Sequence, residues 1–120
     1  MNKKITGELG ESIAINFLKK KGYKIRQRNF RCREGEIDII AEYKKTLVFI
    51  EVRSKSSSDF GTPEESITFA KKEKVINTAL TYLSSQQKSS NSWQIDFIGI
   101  ELTPDGKTRR INHLENAIQG

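Results

Sequence analysis

The stretch that decides the fold is G-E-I-D-I-I-A-E (Gly35–Glu42), followed after four residues by L-V-F-I-E-V-R (Leu47–Arg53). Both segments are rich in Ile and Val, as buried strands are, and the short connection between them predicts a β-hairpin. Each segment also carries an acid for which a buried strand has no structural need. These acids are Asp38 and Glu51.

The register of this hairpin depends on its connection. A two-residue turn at Lys44-Lys45 places Asp38 directly opposite Glu51. Like charges at facing positions, with Cβ atoms about 4.5–5.5 Å apart, destabilise a sheet. The same separation suits two carboxylates that share one divalent cation. Because no His or Cys lies nearby in the sequence, the oxygen ligands predict Mg²⁺ or Mn²⁺ rather than zinc.

A cationic side chain accompanies the two acids. Arg53 lies two residues after Glu51, so both side chains emerge on the same sheet face. A cation there can neutralise a phosphate that gains negative charge, and a divalent ion can bind the same phosphate and activate water. The alternative is an exposed face with ion pairs to Arg53 or Lys55, worth about 0–1 kcal/mol. The flanking Ile39 and Ile50 favour a buried strand pair.

A third acid lies in the first predicted helix, Thr6–Lys21. Glu11 shares a helix face with Ala14 and Leu18, so it borders the inward side. Two interpretations stay open at this point. Glu11 is either a second metal contact or an early-helix residue that the helix dipole favours.

Composition predicts a polyanionic partner. The chain has 120 residues, which predicts one domain, with 21 Lys and Arg against 15 Asp and Glu. The resulting net charge of +6 favours nucleic acid first and an anionic membrane second. A merely basic surface is the remaining alternative.

Several classes of site and location are excluded by simple counts. Cys32 is the only cysteine and His113 the only histidine, which argues against a disulfide, a cysteine zinc cage and a histidine-based metal spacing. The N-terminal segment, Met1–Glu11, lacks the apolar run of a signal peptide. No segment resembles a membrane span. A cytoplasmic location follows by elimination.

The order of elements predicts an α/β fold. A helix is followed by three strands, a second helix and two strands, with a mixed central sheet flanked by a helix on each face. The three consecutive strands should form an antiparallel meander, and the strand after the second helix should return parallel by a right-handed crossover. Outside the hairpin and first helix, the predicted elements are Tyr23–Cys32, Pro63–Leu83, Trp93–Leu102 and Thr108–Leu114, with loops at Ser54–Gly61 and Gln86–Ser92.

Two groups of basic residues lie outside the hairpin. The first strand carries an exposed basic edge that would attract a phosphate backbone, formed by Arg26, Arg28, Arg31 and Arg33. In the second helix, Lys71 and Lys74 lean toward the inward side. They either contact phosphates near the acids or extend past apolar neighbours to solvent.

The strand after the second helix adds an acid and two aromatic residues. Asp96 is either a distal part of the site or the partner of a lysine. Trp93 and Phe97 share one strand face and are predicted to be core rather than base-stacking residues. Neither Cys32 nor His113 has a predicted role.

The ordered motifs resemble the YraN-like family of small bacterial proteins. That family belongs to the restriction-endonuclease-like superfamily, whose nuclease core carries D-x(n)-(D/E)-x-K, and the resemblance implies a restriction-endonuclease-like core here. Besides the hairpin, the matching positions are Gly7, Glu11 through Ala14, Gly22-Tyr23, Arg28-Asn29-Phe30, Phe60-Gly61, Ser66, Lys71, Lys74, Ala79 and Asp96.

The resemblance implies roles for individual residues. Asp38 and Glu51 occupy the positions of the metal-binding acids, and Glu11 that of the acid on the first helix. Arg53 stands where the superfamily most often has Lys. Since Arg does not deprotonate, it can serve as an electrostatic clamp but not as a general base. Lys55, on the same face, could reach in instead.

The function that the resemblance implies is a metal-dependent endonuclease that hydrolyses DNA and leaves a 5′-phosphate. Related junction resolvases are small, basic and dimeric, so branched DNA and a homodimer are further expectations. The alternative is a nucleic-acid-binding or adaptor domain with little or no catalysis, which would bind DNA without metal. A membrane binder is disfavoured because neither predicted helix has a basic face opposite a bulky apolar one.

Overall fold

A computed structural model describes residues 2–56, 61–86 and 92–119. These residues form two helices, one 3₁₀ turn and five strands in the predicted order. The elements are α1 (Lys3–Lys20), β1 (Lys24–Cys32), β2 (Gly35–Tyr43), β3 (Thr46–Ser56), the 3₁₀ turn (Pro63–Ser66), α2 (Phe69–Ser85), β4 (Trp93–Leu102) and β5 (Thr108–Ile118).

The five strands make one mixed sheet in the order β1-β2-β3-β4-β5. β1, β2 and β3 form the predicted antiparallel meander. β4 returns beside β3 in the parallel direction, and β5 pairs with β4 antiparallel. The predicted α/β class is therefore confirmed, and the architecture is compatible with a nuclease-like core.

The hairpin between β2 and β3 has the predicted turn. Lys44 and Lys45 both have positive φ, 47° and 66°, as a two-residue type I′ turn requires. The residues on either side of them pair, and the ladder runs from there to Ile39 and Ile50. The hairpin therefore has the register that the sequence predicts.

Both helices begin at positions that differ from the predicted ones. α1 begins at Lys3 rather than Thr6, because the Asn2 side chain accepts the backbone N–H of Ile5 at 2.8 Å. Such a cap satisfies one of the free N–H groups of the first turn. The change extends the helix by one turn toward the N-terminus.

The second helix begins later than predicted. Pro63–Ser66 forms a separate 3₁₀ turn, and α2 starts at Phe69. The Thr68 hydroxyl caps α2 by accepting the N–H of Lys71 at 3.2 Å. Pro at a first helical position fits either kind of helix, so the cap at Thr68 decides the boundary.

Each face of the sheet is covered by one helix. Ala14 and Leu18 of α1 pack on one face and Val75 and Ala79 of α2 on the other. Phe97 is buried as predicted, but Trp93 is 37% exposed. Trp93 begins β4 at the end of the sheet, where it contacts the edge of a core aromatic ring, so its placement in the core is corrected.

The last strand and the loops also differ from prediction. β5 continues past Leu114 to Ile118, through an irregular pairing beside Asn116, which has a φ of 51°. β3 extends to Ser56, into the predicted loop Ser54–Gly61. Residues 57–60 of that loop, and 87–91 of the predicted loop Gln86–Ser92, lie outside the described residues. Within the described ranges, neither helix has the length and apolar character needed to cross a membrane.

Candidate metal and phosphate site

The candidate site begins where β2 and β3 separate. Their ladder ends at Ile39 and Ile50. Beyond that pair, the backbone N–H of Val52 donates to Asp38 Oδ2 at 2.8 Å. A carboxylate therefore takes the place of a backbone carbonyl in the gap between the two strands.

The strand changes face at the same point. Ile37 packs in the core beneath α2, whereas Ile39 packs in the core beneath α1. Residues two apart in a regular strand share a face, so the backbone of β2 twists through Asp38. On the neighbouring strand, Asn29 has a φ of 53°. Asp38 therefore lies at the junction of the two faces rather than within either core.

Glu51 lies beside Asp38, as the register predicts. The two residues, called the acid pair below, are only 9% and 6% exposed. Burial raises the pKa of Glu51 well above its ordinary value, and the hydrogen bond and negative charge of Asp38 raise it further. Two buried carboxylates repel each other, so a fold that places them side by side is costly in free energy unless a cation lies between them.

Arg53 supplies that cation. Its Nη1 atom lies 2.7 Å from Glu51 Oε1 and 3.8 Å from Asp38 Oδ2. The same nitrogen donates to the Val52 carbonyl at 3.0 Å. The guanidinium thus contacts both members of the acid pair, so the pair is arranged to share one cation.

Glu11 stands at the margin of this cluster. Arg28 Nη2 lies 3.4 Å from Glu11 Oε1. Burial raises the pKa of Glu11, and the negative charge of Asp38 raises it further. Within the described part of the chain, however, Glu11 and the acid pair do not bring one oxygen each within 4.8 Å of one another. The structure therefore places Glu11 near the acid pair but not in a closed ligand set with it.

Two cavities flank the acid pair and share Arg53 in their walls. The α1 cavity, about 350 Å³, includes Asp38 and Glu11 with residues from the start of α1. The α2 cavity, about 250 Å³, includes Glu51. Ligands could therefore approach the acid pair from either face.

Lys71 and Lys74 both line the α2 cavity. Both are exposed, so the two interpretations of these lysines, phosphate contact and extension to solvent, both stay open. Lys71 Nζ also donates to the carbonyl of Ser66 at 3.0 Å. Lys55, by contrast, lines neither cavity.

The basic edge of β1 is exposed as predicted, since Arg26, Arg28, Arg31 and Arg33 are all exposed and β1 is an edge strand. Most of these cations have acidic partners within the protein. Arg26 pairs with Glu42 and Arg31 with Glu36. Of the four, Arg28 is the one that contacts an acid of the candidate site.

Asp96 pairs with Ile50 of β3 through its backbone, and among the described residues its side chain contacts a histidine rather than a lysine, which corrects the prediction of a lysine partner. It is fully buried and accepts the Nε2–H of His113 at 2.7 Å. The backbone N–H of Asn116 and the amide of Gln94 donate to its other oxygen. The second ring nitrogen of His113 lies 2.9 Å from Lys21 Nζ.

His113 therefore has a structural role that was not predicted from the sequence. Asp96, His113 and Glu115 bring one ligand atom each within 4.8 Å of one another, the one such group of three in the described ranges. Spacing along the chain could not reveal this group, because its members lie on the adjacent strands β4 and β5. Each already has a protein partner, and Glu115 accepts the Tyr23 hydroxyl at 3.3 Å. The group is therefore a satisfied polar network.

These features define a small α/β protein with a five-stranded mixed sheet and a buried pair of carboxylates that shares one cation. A family model described as "Uncharacterised protein family UPF0102" matches residues 10–100. The chain belongs to this family, which is the YraN family of the sequence resemblance.

Relatives cover the whole length of the chain. A UPF0102 protein of Caldanaerobacter subterraneus subsp. tengcongensis is 42% identical over 98% of this chain and 97% of its own. One from Alkaliphilus oremlandii is 44% identical over 98% of this chain and 99% of its own. One from Clostridioides difficile is 40% identical, also over 98% and 99%.

Proposed function

We propose that this protein is a metal-dependent endonuclease that hydrolyses phosphodiester bonds in DNA. One observation carries the proposal: Asp38 and Glu51 are buried side by side, contact a common cation and border two cavities. Strongly perturbed carboxylates in a cleft are typical of functional sites. A purely structural role would be served better by apolar residues of similar volume.

The donor set fits a hard divalent cation. Asp38 and Glu51 would hold Mg²⁺ or Mn²⁺, which prefer carboxylate oxygens, and the Arg53 guanidinium already occupies a cationic position against both. Glu11 lines the same cavity as Asp38. When bound, such an ion supplies Lewis acidity toward the phosphate and favours the ionisation of water.

Arg53 would then act on the substrate. With the acid pair neutralised by a bound cation, the guanidinium would be free to donate two hydrogen bonds to phosphate oxygens. Because it keeps its proton, it stabilises negative charge that develops on the phosphate and does not act as a base. Lys71 and Lys74, in the wall of the α2 cavity, would bind a neighbouring phosphate.

The proposal is tested by cleavage of linear, single-stranded, flapped and four-way-junction DNA with Mg²⁺, Mn²⁺ or EDTA. The decisive variant is Asp38→Asn, which keeps an oxygen for the Val52 N–H but removes the charge. Asp105→Asn, in the exposed β4–β5 turn, is the matched control. We expect metal-dependent cleavage by the wild type and the control, and none by Asp38→Asn. The preferred substrate would decide whether branched DNA is the target, and sedimentation would test the homodimer.

The second candidate is a DNA-binding adaptor without catalysis. It is favoured by the contact that Arg53 makes with both acids, because the acid pair has a cation without any metal. An adaptor would bind DNA equally well in EDTA, and Asp38→Asn would leave that binding unchanged or tighten it. Binding without cleavage on every substrate would support the adaptor and contradict the nuclease.

A further inference from the structure

We propose that the site binds one nucleic-acid strand continuously, and that Lys3 and Lys4 form a second phosphate subsite opposite the one on α2. The inference rests on the proposed function and deepens it, because it states how the substrate crosses the site. Lys3 and Lys4 are called the α1 lysine pair below, and Lys71 and Lys74 the α2 lysine pair.

The two lysine pairs lie on opposite sides of the acid pair. The α1 lysine pair lines the α1 cavity together with Asp38, and the α2 lysine pair lines the α2 cavity together with Glu51. Arg53 belongs to both walls. A phosphate held at Arg53 would therefore have one basic subsite on each side along the strand.

The α1 lysine pair is available to an external anion. In the described chain, neither Lys3 nor Lys4 forms an ion pair, whereas Arg26, Arg28 and Arg31 each have an acidic partner. The Asn2 cap extends α1 to include both lysines. Both are exposed, so contact with phosphate would not require a buried charge to be uncovered.

The charges of the two cavities differ, and the difference predicts when each subsite binds. Three cationic and two acidic side chains line the α2 cavity, which is therefore net positive. Three cationic and three acidic side chains line the α1 cavity, where Glu8 and Glu11 oppose the lysines. The α1 cavity becomes net positive only when a divalent cation joins the acid pair. The α1 subsite should therefore bind phosphate only with metal present.

The experiment measures the affinity of a fluorescein-labelled oligonucleotide, single-stranded and duplex, over a series of salt concentrations in Ca²⁺ or EDTA. Ca²⁺ takes the same kind of oxygen ligands. Both lysines of each pair are changed to Gln. The matched control is Lys19→Gln with Lys20→Gln in the last turn of α1, which removes the same charge from the same helix. Thermal unfolding checks that each variant is folded.

With Ca²⁺, loss of the α1 lysine pair should weaken binding several-fold and reduce the salt slope of log K by about 1–2, as for two lost phosphate contacts. In EDTA it should have no effect. Loss of the α2 lysine pair should weaken binding in both Ca²⁺ and EDTA. The control substitutions should weaken binding in neither. A strand that crosses the site continuously needs no free end, so circular single-stranded DNA should also be bound.

Unchanged affinity and salt slope in Ca²⁺ without the α1 lysine pair would overturn the inference. An equal loss of affinity in EDTA would contradict the expectation that the α1 subsite binds phosphate only with metal present. Failure of the inference is distinguishable from failure of the proposed function. In the first case, wild-type protein still cleaves DNA with metal and Asp38→Asn does not; in the second, wild-type protein cleaves no DNA with any metal.

Discussion

In the proposed mechanism, Arg53 would change its contacts when metal binds. Its guanidinium contacts both members of the acid pair, so a divalent cation bound there would have to displace it. Arg53→Gln should therefore tighten Mn²⁺ binding, on the order of tenfold for one competing charge-assisted hydrogen bond, and abolish cleavage. Titration calorimetry measures the first effect and the DNA assay the second. Arg33→Gln, in the exposed turn between β1 and β2, is the control. Weaker Mn²⁺ binding by Arg53→Gln would show that the arginine supports the metal site rather than competes with it.

Glu51 should make metal-free protein less stable as pH rises. Its raised pKa means that the folded state holds the proton more tightly than the unfolded state. Stability is therefore lost as pH increases from the ordinary carboxyl pKa toward the raised one. Glu51→Gln cannot lose a proton, so it should be more stable than the wild type at neutral pH and similar in acid.

Denaturant unfolding in EDTA across this pH range tests that expectation. With saturating Mn²⁺ at neutral pH, the wild type should instead be more stable than Glu51→Gln, since a ligand that binds the folded state stabilises it. A wild-type protein that gains stability over Glu51→Gln as metal-free solutions become more alkaline would contradict the prediction.

The contact between α1 and β3 sets the position of Glu11. A Cβ atom added at Gly10 would lie 2.5 Å from Ser54 Cβ and would also overlap Ser54 Oγ, so Gly10→Ala must push the helix away from the strand. We expect a loss of about 1–3 kcal/mol in unfolding free energy and reduced cleavage. Gly7→Ala is the matched control, because no atom lies within 4 Å of the position that its new methyl group would take. That change should stabilise the helix by about 0.5–1 kcal/mol.

Chemical denaturation of the two variants compares them directly. A Gly10→Ala protein as stable and active as Gly7→Ala would show that the helix position is not constrained at this contact.

Elements were predictable where the residues that determine them lie close together in the sequence. The hairpin was predictable because its alternating apolar pattern, its turn and its register all lie within Gly35–Arg53, and the same pattern brought Asp38 beside Glu51. The start of α2 was not predictable, because Pro63 fits both a 3₁₀ turn and an α-helix. The end of β5 was missed because the irregular pairing at Asn116 interrupts the alternation.

Contacts between distant parts of the chain were not predictable. His113 meets Asp96 across two strands and Lys21 at the end of α1, and no spacing rule links these three positions. Likewise, no sequence signal indicates that Lys3 and Lys4 line the same cavity as Asp38, because the cap at Asn2 and the packing of α1 on β3 together place them there.

The His113 network connects the C-terminal end of α1 to strands β4 and β5. Asp96 is fully buried and accepts three hydrogen bonds. Asp96→Asn should therefore reduce the unfolding free energy by about 2–4 kcal/mol, since its amide cannot accept at both positions. Calorimetry with Mn²⁺ should show unchanged affinity in the folded variant. A loss of metal binding with little change in stability would make this network, and not the acid pair, the metal centre.

The most direct test compares wild type and Asp38→Asn, purified identically, for Mn²⁺ binding and for Mn²⁺-dependent DNA cleavage on the same samples. We expect the wild type to bind Mn²⁺ and cut DNA, and Asp38→Asn to do neither while remaining folded. Cleavage by Asp38→Asn at the wild-type rate would contradict the acid pair as the metal centre of a nuclease, as would a wild-type protein that binds DNA but neither binds Mn²⁺ nor cuts.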